Sequence, residues 1–188
     1  MSLVSRVQNI LMSPQTEWPV IAAEGASVGS LYSGYIIPLA AIGPVCSVIG
    51  SGILGPLGLV GGIIAAIVTY VLSLVMTYVM AFIAAKLAPS FGGRDDLTQG
   101  LKLVAYSYTA PWVVGVFLLI PKIGSIFGIL GLYSLYLLYL GASPVVGVPK
   151  DRSVIYIIVL IVVAVVLTMI VGLITGLLLG GMLMATMH

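Results

Sequence analysis

The sequence predicts an all-α polytopic membrane protein, a bundle of about five transmembrane helices preceded by short N-terminal interfacial helices. Apolar residues make up 61% of its 188 residues, and charged residues only 6%. Four stretches contain no Asp, Glu, Lys or Arg: residues 31–85, 103–121, 123–149 and 153–188. Such runs are long enough for the ~18–20 apolar residues that cross a hydrocarbon core, and a soluble domain needs more charge to solvate its surface.

Residues 1–30 are predicted to form a cytoplasmic interfacial segment, and residues 31–188 the transmembrane domain. Apolar residues at positions 3, 4, 7, 10 and 11 recur at helical spacing opposite polar residues, which predicts a short helix lying in the membrane interface. Ser13-Pro14 then predicts the start of a second short helix. On that helix Trp18 suits the headgroup level, where its ring is buried and its N–H stays hydrated.

Glu17 and Glu24 are seven residues apart and therefore share a helical face. With Trp18 and the loop residue Arg94 they are candidates for binding a cytoplasmic partner, or for a ring of acids that attracts cations. The alternative is an ordinary solvated face, and because such charge pairs are commonplace it is the default interpretation. In that case the two acids pair with Lys86, Arg94 or Lys102.

Prolines and glycines divide the apolar sequence into spans of roughly 31–53, 57–87, 101–120, 123–141 and 154–179. The first contains Pro38 and Pro44, which predicts a kink or break, because each proline removes a backbone donor and clashes with the preceding turn. The second is longer than the hydrocarbon core, so we expect it to tilt or to project into water. The fifth is rich in Val and Ile, but a lone segment in lipid satisfies its backbone only as a helix.

The distribution of basic residues predicts the orientation. One side of the membrane receives Arg6, Lys86, Arg94, Lys102, Lys150 and Arg152, whereas the other receives Lys122 alone. By the positive-inside rule the N-terminus is cytoplasmic and the C-terminus lies outside.

Polar aromatic and hydroxyl side chains are candidates for lining an intramembrane cavity. Such a cavity would suit a small neutral or cationic ligand. The alternative, and the favoured one, is that the hydroxyl groups form hydrogen bonds between helices. The candidates are Tyr70, Thr77, Tyr106, Tyr108, Tyr133 and Tyr136.

Small residues recur four apart in several spans, which favours close approach of helix backbones. The stripe Gly172, Gly176 and Gly180 is the best candidate face for a homodimer or for another membrane protein, with packing inside the bundle as the alternative. Shorter stripes are Gly58–Gly62, Ala81–Ala85 and Gly124–Gly128.

Several kinds of site are not indicated. The single histidine is the last residue, and no serine has a base partner. The spacings typical of metal ligands do not occur either, so no catalytic, cofactor or metal site is expected. Asp96 followed by Gln99 predicts a helix cap, which is a better account of the Asp95-Asp96 pair than a divalent ion. The net charge of +2 gives no reason to expect a nucleic-acid partner.

A series of motifs, in order, resembles the prokaryotic form of the Yip domain family, the Ypt/Rab-interacting proteins. These motifs are Met12-Ser13-Pro14 with Glu17-Trp18 and Glu24, Tyr35-Ile36-Ile37-Pro38-Leu39-Ala40, Phe91-Gly92-Gly93, Leu103-Val104-Ala105-Tyr106-Ser107-Tyr108-Thr109-Ala110-Pro111-Trp112, Ile120-Pro121-Lys122-Ile123-Gly124, and Leu132-Tyr133-Ser134-Leu135-Tyr136-Leu137 with Tyr139-Leu140-Gly141. The resemblance implies a five-span bundle in an inner or plasma membrane, with a cytoplasmic N-terminus. The eukaryotic members of the family are tied to vesicle trafficking and Rab GTPases. Their Asp-Leu-Tyr-Gly-Pro type motif is absent here, so the resemblance does not imply GTPase docking for this chain.

The sequence therefore favours a non-enzymatic membrane protein that acts in membrane organisation or in trafficking-like partner binding, through its helix faces and cytoplasmic loops. The rival interpretation is a channel or transporter for ions or small solutes, built around the Tyr/Ser/Thr-lined cavity. The absence of an ionisable group near the midplane of a span favours the first.

Overall fold

A computed structural model describes residues 1–52, 58–119 and 131–186, and within these ranges all regular structure is helical, which confirms the predicted all-α class. The α-helices in chain order are α1 (Leu3–Met12), α2 (Pro14–Ala23), α3 (Val28–Leu31), α4 (Ile37–Ala40), α5 (Ile42–Ser47), α6 (Gly58–Leu87), α7 (Leu97–Ser107), α8 (Thr109–Val114), α9 (Tyr133–Val146) and α10 (Lys150–Thr186).

Four helical stretches in the described ranges are long and apolar enough to cross a membrane: Val28–Gly50, Leu59–Phe91, Leu97–Leu119 and Lys150–Leu177. These correspond to the first, second, third and fifth predicted spans. The predicted fourth span, 123–141, corresponds to α9, an apolar helix of 14 residues. Its predicted start, Lys122 and the Gly124–Gly128 stripe lie outside the described residues.

The first span is broken, as its two prolines predict. Wider π-helical turns occupy Tyr32–Ile36 and Val48–Gly52, and the N–H of Ile37 donates to the carbonyl of Tyr32, five residues earlier. The next residue, Pro38, has no N–H to donate, so the regular ladder cannot pass through this position. A π-turn is a common way for a helix to absorb such a break.

The third span is also broken, which the sequence analysis did not predict. Helix α7 ends at Ser107 and α8 begins at Thr109. Pro111 cannot donate to the carbonyl of Ser107. A 3-10 turn, Gly115–Leu119, ends the described part of this span.

Helices α6 and α7 pack through small residues at the end of the bundle where most charges lie. A Cβ at Gly100 would lie 2.6 Å from the carbonyl oxygen of Ala81 and 2.9 Å from the Cβ of Ala85. Both alanines are buried. The Ala81–Ala85 stripe is therefore a contact within the chain, of the kind that small residues permit in membranes.

The buried side chains of α10 lie in about its first third, and partly buried side chains pack against the core as far as Leu167. Its 37 residues span about 55 Å at 1.5 Å per residue. Ser153, Tyr156 and Leu160 are fully buried, and the Tyr156 hydroxyl donates to the carbonyl of Ala84 on α6 at 2.8 Å. Beyond these residues most of the large apolar side chains described are exposed, from Val162 to Leu177.

Candidate functional site

A buried cluster of charges joins α1 to α2. The Arg6 guanidinium is buried and forms ion pairs with Glu17 and Glu24 through different nitrogens, and the amide of Asn9 donates to the second oxygen of Glu17 at 3.2 Å. Burial acts to lower the pKa of Arg6, but the hydrogen bond and charge of Glu24, with the nearby groups of Tyr106 and Glu17, hold it above its ordinary value. A guanidinium that donates to two carboxylates through two of its nitrogens forms charge-assisted hydrogen bonds, which are stronger than those between neutral groups.

A second buried cation connects this cluster to the third span. Lys102 on α7 is only 2% exposed, and its Nζ donates to the carbonyls of Ile21 at 2.9 Å, Ala22 at 3.5 Å and Glu24 at 2.6 Å. These carbonyls lie at the C-terminal end of α2, where helix carbonyls lack intrahelical partners and the helix dipole attracts positive charge. Lys102 therefore caps α2 and fixes it against α7.

Aromatic rings fill the space beneath these charges. Tyr106 lies 4.4 Å from Tyr35 and 6.3 Å from Trp18, measured between ring centroids, and the Arg6 guanidinium carbon lies 5.9 Å from its centroid. The Tyr35 hydroxyl is hydrogen-bonded to that of Thr109 at 2.6 Å. Beside the cluster is a cavity of about 310 Å³, lined by Arg6, Glu24, Tyr35 and Tyr106 among others.

Two predictions about this segment are wrong. Glu17 and Glu24 do not pair with Lys86 or Arg94, because Arg6, which was assigned to the polar face of α1, turns inward to bind both acids. Lys102 is near them but binds backbone carbonyls. Trp18 does not keep a hydrated N–H: it is 1% exposed, and its Nε1 has no hydrogen-bond partner within the described part of the chain.

The burial of this cluster limits what it can bind. Glu17 and Trp18 are not accessible as a docking surface, whereas the side chain of Glu24 is 44% exposed and Arg94 is exposed. Lys86 instead pairs with Asp95 at 2.7 Å, and Asp96 caps α7 by accepting from the N–H groups of Thr98 and Gln99. Within the described ranges no group of three or more His, Cys, Asp or Glu residues is placed to hold a metal ion.

The six residues predicted to line one polar cavity lie in separate places. Thr77 and Tyr108 line a cavity of about 420 Å³ between α6, α8 and α10. Tyr106 belongs to the cavity beside Arg6, and Tyr133 and Tyr136 line another of about 390 Å³ beside residues 12–16. Tyr70 donates to the carbonyl of Ile37 at 3.0 Å.

Several hydroxyl groups hold helices or turns together. Tyr133 donates to the carbonyl of Leu11 at 3.0 Å, and Tyr32 to that of Leu74 at 2.8 Å. The Thr77 hydroxyl donates to the carbonyl of Ser73 within its own helix. For these tyrosines the contacts agree with the favoured alternative, hydrogen bonds between helices. The Thr77 hydroxyl instead bonds only within its own helix.

The glycine stripe of α10 has no neighbour among the described residues. A Cβ added at Gly172, Gly176 or Gly180 would meet no other atom of this part of the chain within 4 Å. The stripe therefore does not pack inside the described part of the bundle.

Sequence reasoning missed the two buried cations. Arg6 belongs to the polar side of an amphipathic pattern, which usually faces water. Lys102 stands one residue before a charge-free run, and that position, just inside a predicted span, was a signal that it needs a protein partner.

The Yip1 domain matches residues 9–174, which includes the buried charge cluster from Asn9 onward, the first three membrane-spanning stretches and all but the last three residues of the fourth. No curated protein and no solved structure matches the chain. Because the match covers most of the 188 residues, this membrane protein belongs to the Yip1 domain family.

Proposed function

We propose that this protein is a non-enzymatic component of its membrane that organises the membrane by binding a second copy of itself. The contact would use the outer part of α10, from Val162 onward. The observation that carries the proposal is the contrast between two sets of small residues. A Cβ at Gly100 would be in close contact with Ala81 and Ala85, whereas a Cβ at Gly172, Gly176 or Gly180 would meet nothing within 4 Å among the residues that the structure describes. Small residues four apart favour close helix pairing, so the open stripe suits a partner helix from outside the chain.

Disulfide crosslinking in native membranes tests this proposal. Cys46, the one cysteine of the chain, is first replaced by serine. We expect Gly172→Cys and Gly176→Cys to give crosslinked dimers under mild oxidation. Ile174→Cys is the matched control, because it lies on the same stretch of α10 but about 200° around the helix from both glycines.

Crosslinking of the control as strong as that of the two glycine positions would mean random collision in the membrane. A lack of crosslinks at all three positions would remove self-association through this face. Crosslinking to a different membrane protein at the glycine positions alone would replace the second copy by that partner.

The proposed orientation has the charged end of the bundle in the cytoplasm. The asymmetry of the basic residues supports it, and the contacts of Arg6 and Lys102 with α2 bring the N-terminal helices to that same end. Reporters active only in the cytoplasm should be active after Arg94 or Lys150 and inactive after His188. Activity at His188 would contradict an odd number of spans.

A permeation function is the second candidate, supported by the cavity of about 420 Å³ between α6, α8 and α10. Thr69, Ser73, Thr77 and Thr168 line it, but each hydroxyl donates to a carbonyl of its own helix. We therefore expect liposomes containing the purified protein to show no more flux than empty liposomes. Saturable flux that Thr77→Val alters would establish the rival function.

A further inference from the structure

The charged end of the bundle contains a crevice of about 500 Å³ between α2, α9 and the first turn of α10. Its lining has two chemical characters. Apolar groups come from Trp18, Pro19, Leu140 and Pro144, and polar groups from Gln15, Tyr139, Ser143, Lys150 and Ser153. A crevice of this composition suits an amphiphile better than either a purely polar solute or an apolar chain.

Lys150 is the charged group in the crevice, and its charge is not neutralised by an acid. Within the described ranges each acid has another partner: Glu17 and Glu24 bind Arg6, Asp95 binds Lys86, Asp96 caps α7, and Asp151 lies 4.0 Å from Arg152. Lys150 is exposed, and none of the ion pairs within those ranges includes it. The crevice therefore offers a free positive charge.

Two further features favour a negatively charged ligand. Lys150 and Ser153 stand in the first turn of α10, where the dipole of a long helix attracts anions. Trp18 is one of the residues that line the crevice, and its indole N–H is buried without a hydrogen-bond acceptor in the described structure. Buried donors of this kind ordinarily have a partner.

The position in the membrane identifies the amphiphile. Lys150 is the first residue of a membrane-spanning stretch, and α9 ends four residues earlier, so the crevice lies at the level where headgroups meet acyl chains. We propose that the crevice binds an anionic phospholipid, with its phosphate beside Lys150 and an acyl chain against Pro19 and Leu140. Basic pockets between membrane helices are typical sites for such lipids.

Tryptophan fluorescence offers a direct test, because the chain has only Trp18 and Trp112. The protein carrying Trp112→Phe is placed in nanodiscs in which a rising fraction of the lipid is phosphatidylglycerol with brominated acyl chains, a quencher of nearby indoles. Brominated phosphatidylcholine is the neutral comparison. We expect phosphatidylglycerol to quench Trp18 at a lower lipid fraction than phosphatidylcholine does.

Lys150→Gln should raise the half-quenching fraction of phosphatidylglycerol about fivefold, the effect of one lysine near an anionic surface. Lys86→Gln is the matched control, since it removes the same charge from the same end but from a residue paired with Asp95. Native mass spectrometry of the unsubstituted protein, comparing the two lipids, provides a readout that does not depend on Trp112→Phe.

Equal quenching by the two lipids, or equal effects of the two lysine substitutions, would overturn the proposal. Loss of the difference between the lipids on adding inorganic phosphate would also overturn it, because the site would then bind a free anion rather than a lipid.

Discussion

The charged end of the bundle and the outer part of α10 use the same kinds of residue in opposite ways. At the charged end Ile10, Trp18 and Ile21 are at most 1% exposed, and the cations Arg6 and Lys102 are buried with partners. In the outer part of α10 most of the large apolar side chains that the structure describes are exposed, and a Cβ added to any glycine of the stripe would meet none of the other described atoms within 4 Å. The difference indicates that the fold is held mainly at one end, while the outer part of α10 is left for lipid or for a partner.

The largest effect should come from Arg6→Met, because it leaves Glu17 buried without its cation. Breaking a buried pair from one side costs about 3–5 kcal/mol, and the melting temperature of the purified protein in detergent should fall accordingly. Adding Glu17→Gln should restore part of the loss, because no buried charge then lacks a partner. Lys86→Met, which breaks an exposed pair, should cost at most about 1 kcal/mol. Equal losses from Arg6→Met and Lys86→Met would mean that the charged end is not specially rigid.

Gly141→Val should have the next largest effect on thermal stability. A Cβ at this position would lie 2.7 Å from Leu103 Cδ1 and 2.8 Å from Trp18 Cζ2, so the substitution overpacks the contact between α9, α2 and α7. Overpacking of this kind costs about 1–3 kcal/mol. Gly172→Val, the matched change in open space, should leave the stability of the monomer unchanged. A fall in melting temperature as large for Gly172→Val would show that the outer part of α10 is packed after all.

Gly147, which follows α9, would not be a suitable control for the substitutions at Gly141 and Gly172. Its φ of +76° is a left-handed conformation that favours glycine and ends α9. Any side chain there is strained whether or not it has space.

A smaller effect still is expected from Tyr156→Phe, which removes the hydrogen bond from α10 to the carbonyl of Ala84. Hydrogen bonds between membrane helices contribute about 0.6 kcal/mol on average. Thr77→Val should cost less, because its hydroxyl bonds only to its own helix. A larger loss of thermal stability from Thr77→Val than from Tyr156→Phe would show that the cavity between α6, α8 and α10 has a structural role.

The fold class could be read from the sequence because lipid leaves the backbone few choices. Charge-free runs mark the spans, and Pro38 marks a break, through general properties of helices in a membrane. The cap at Asp96 was likewise predicted from local sequence, although only the aspartate half of the capping box forms, since Gln99 Oε1 has no partner in the described structure.

The charge cluster could not be predicted in this way because its partners are distant in sequence. Arg6 and Glu17 are 11 residues apart, and Lys102 and Ile21 are 81 apart. Helical periodicity correctly groups residues on one face but does not say what that face meets. Since α1 packs inward, its Arg6 and Asn9 bind Glu17 of α2 instead of water, and this contact changes the roles expected for Glu17 and Trp18.

The capping of α2 by Lys102 also imposes an order on biosynthesis. Glu24 leaves the ribosome 78 residues before the lysine that binds its carbonyl. At translation rates of roughly 5–20 residues per second, that gap lasts roughly 4–16 s. During this time α1 and α2 exist without their binding surface, and their apolar residues have only the lipid interface to occupy. The N-terminal helices are thus the first part of the chain to be made, but α2 is not capped by Lys102 until α7 has been made.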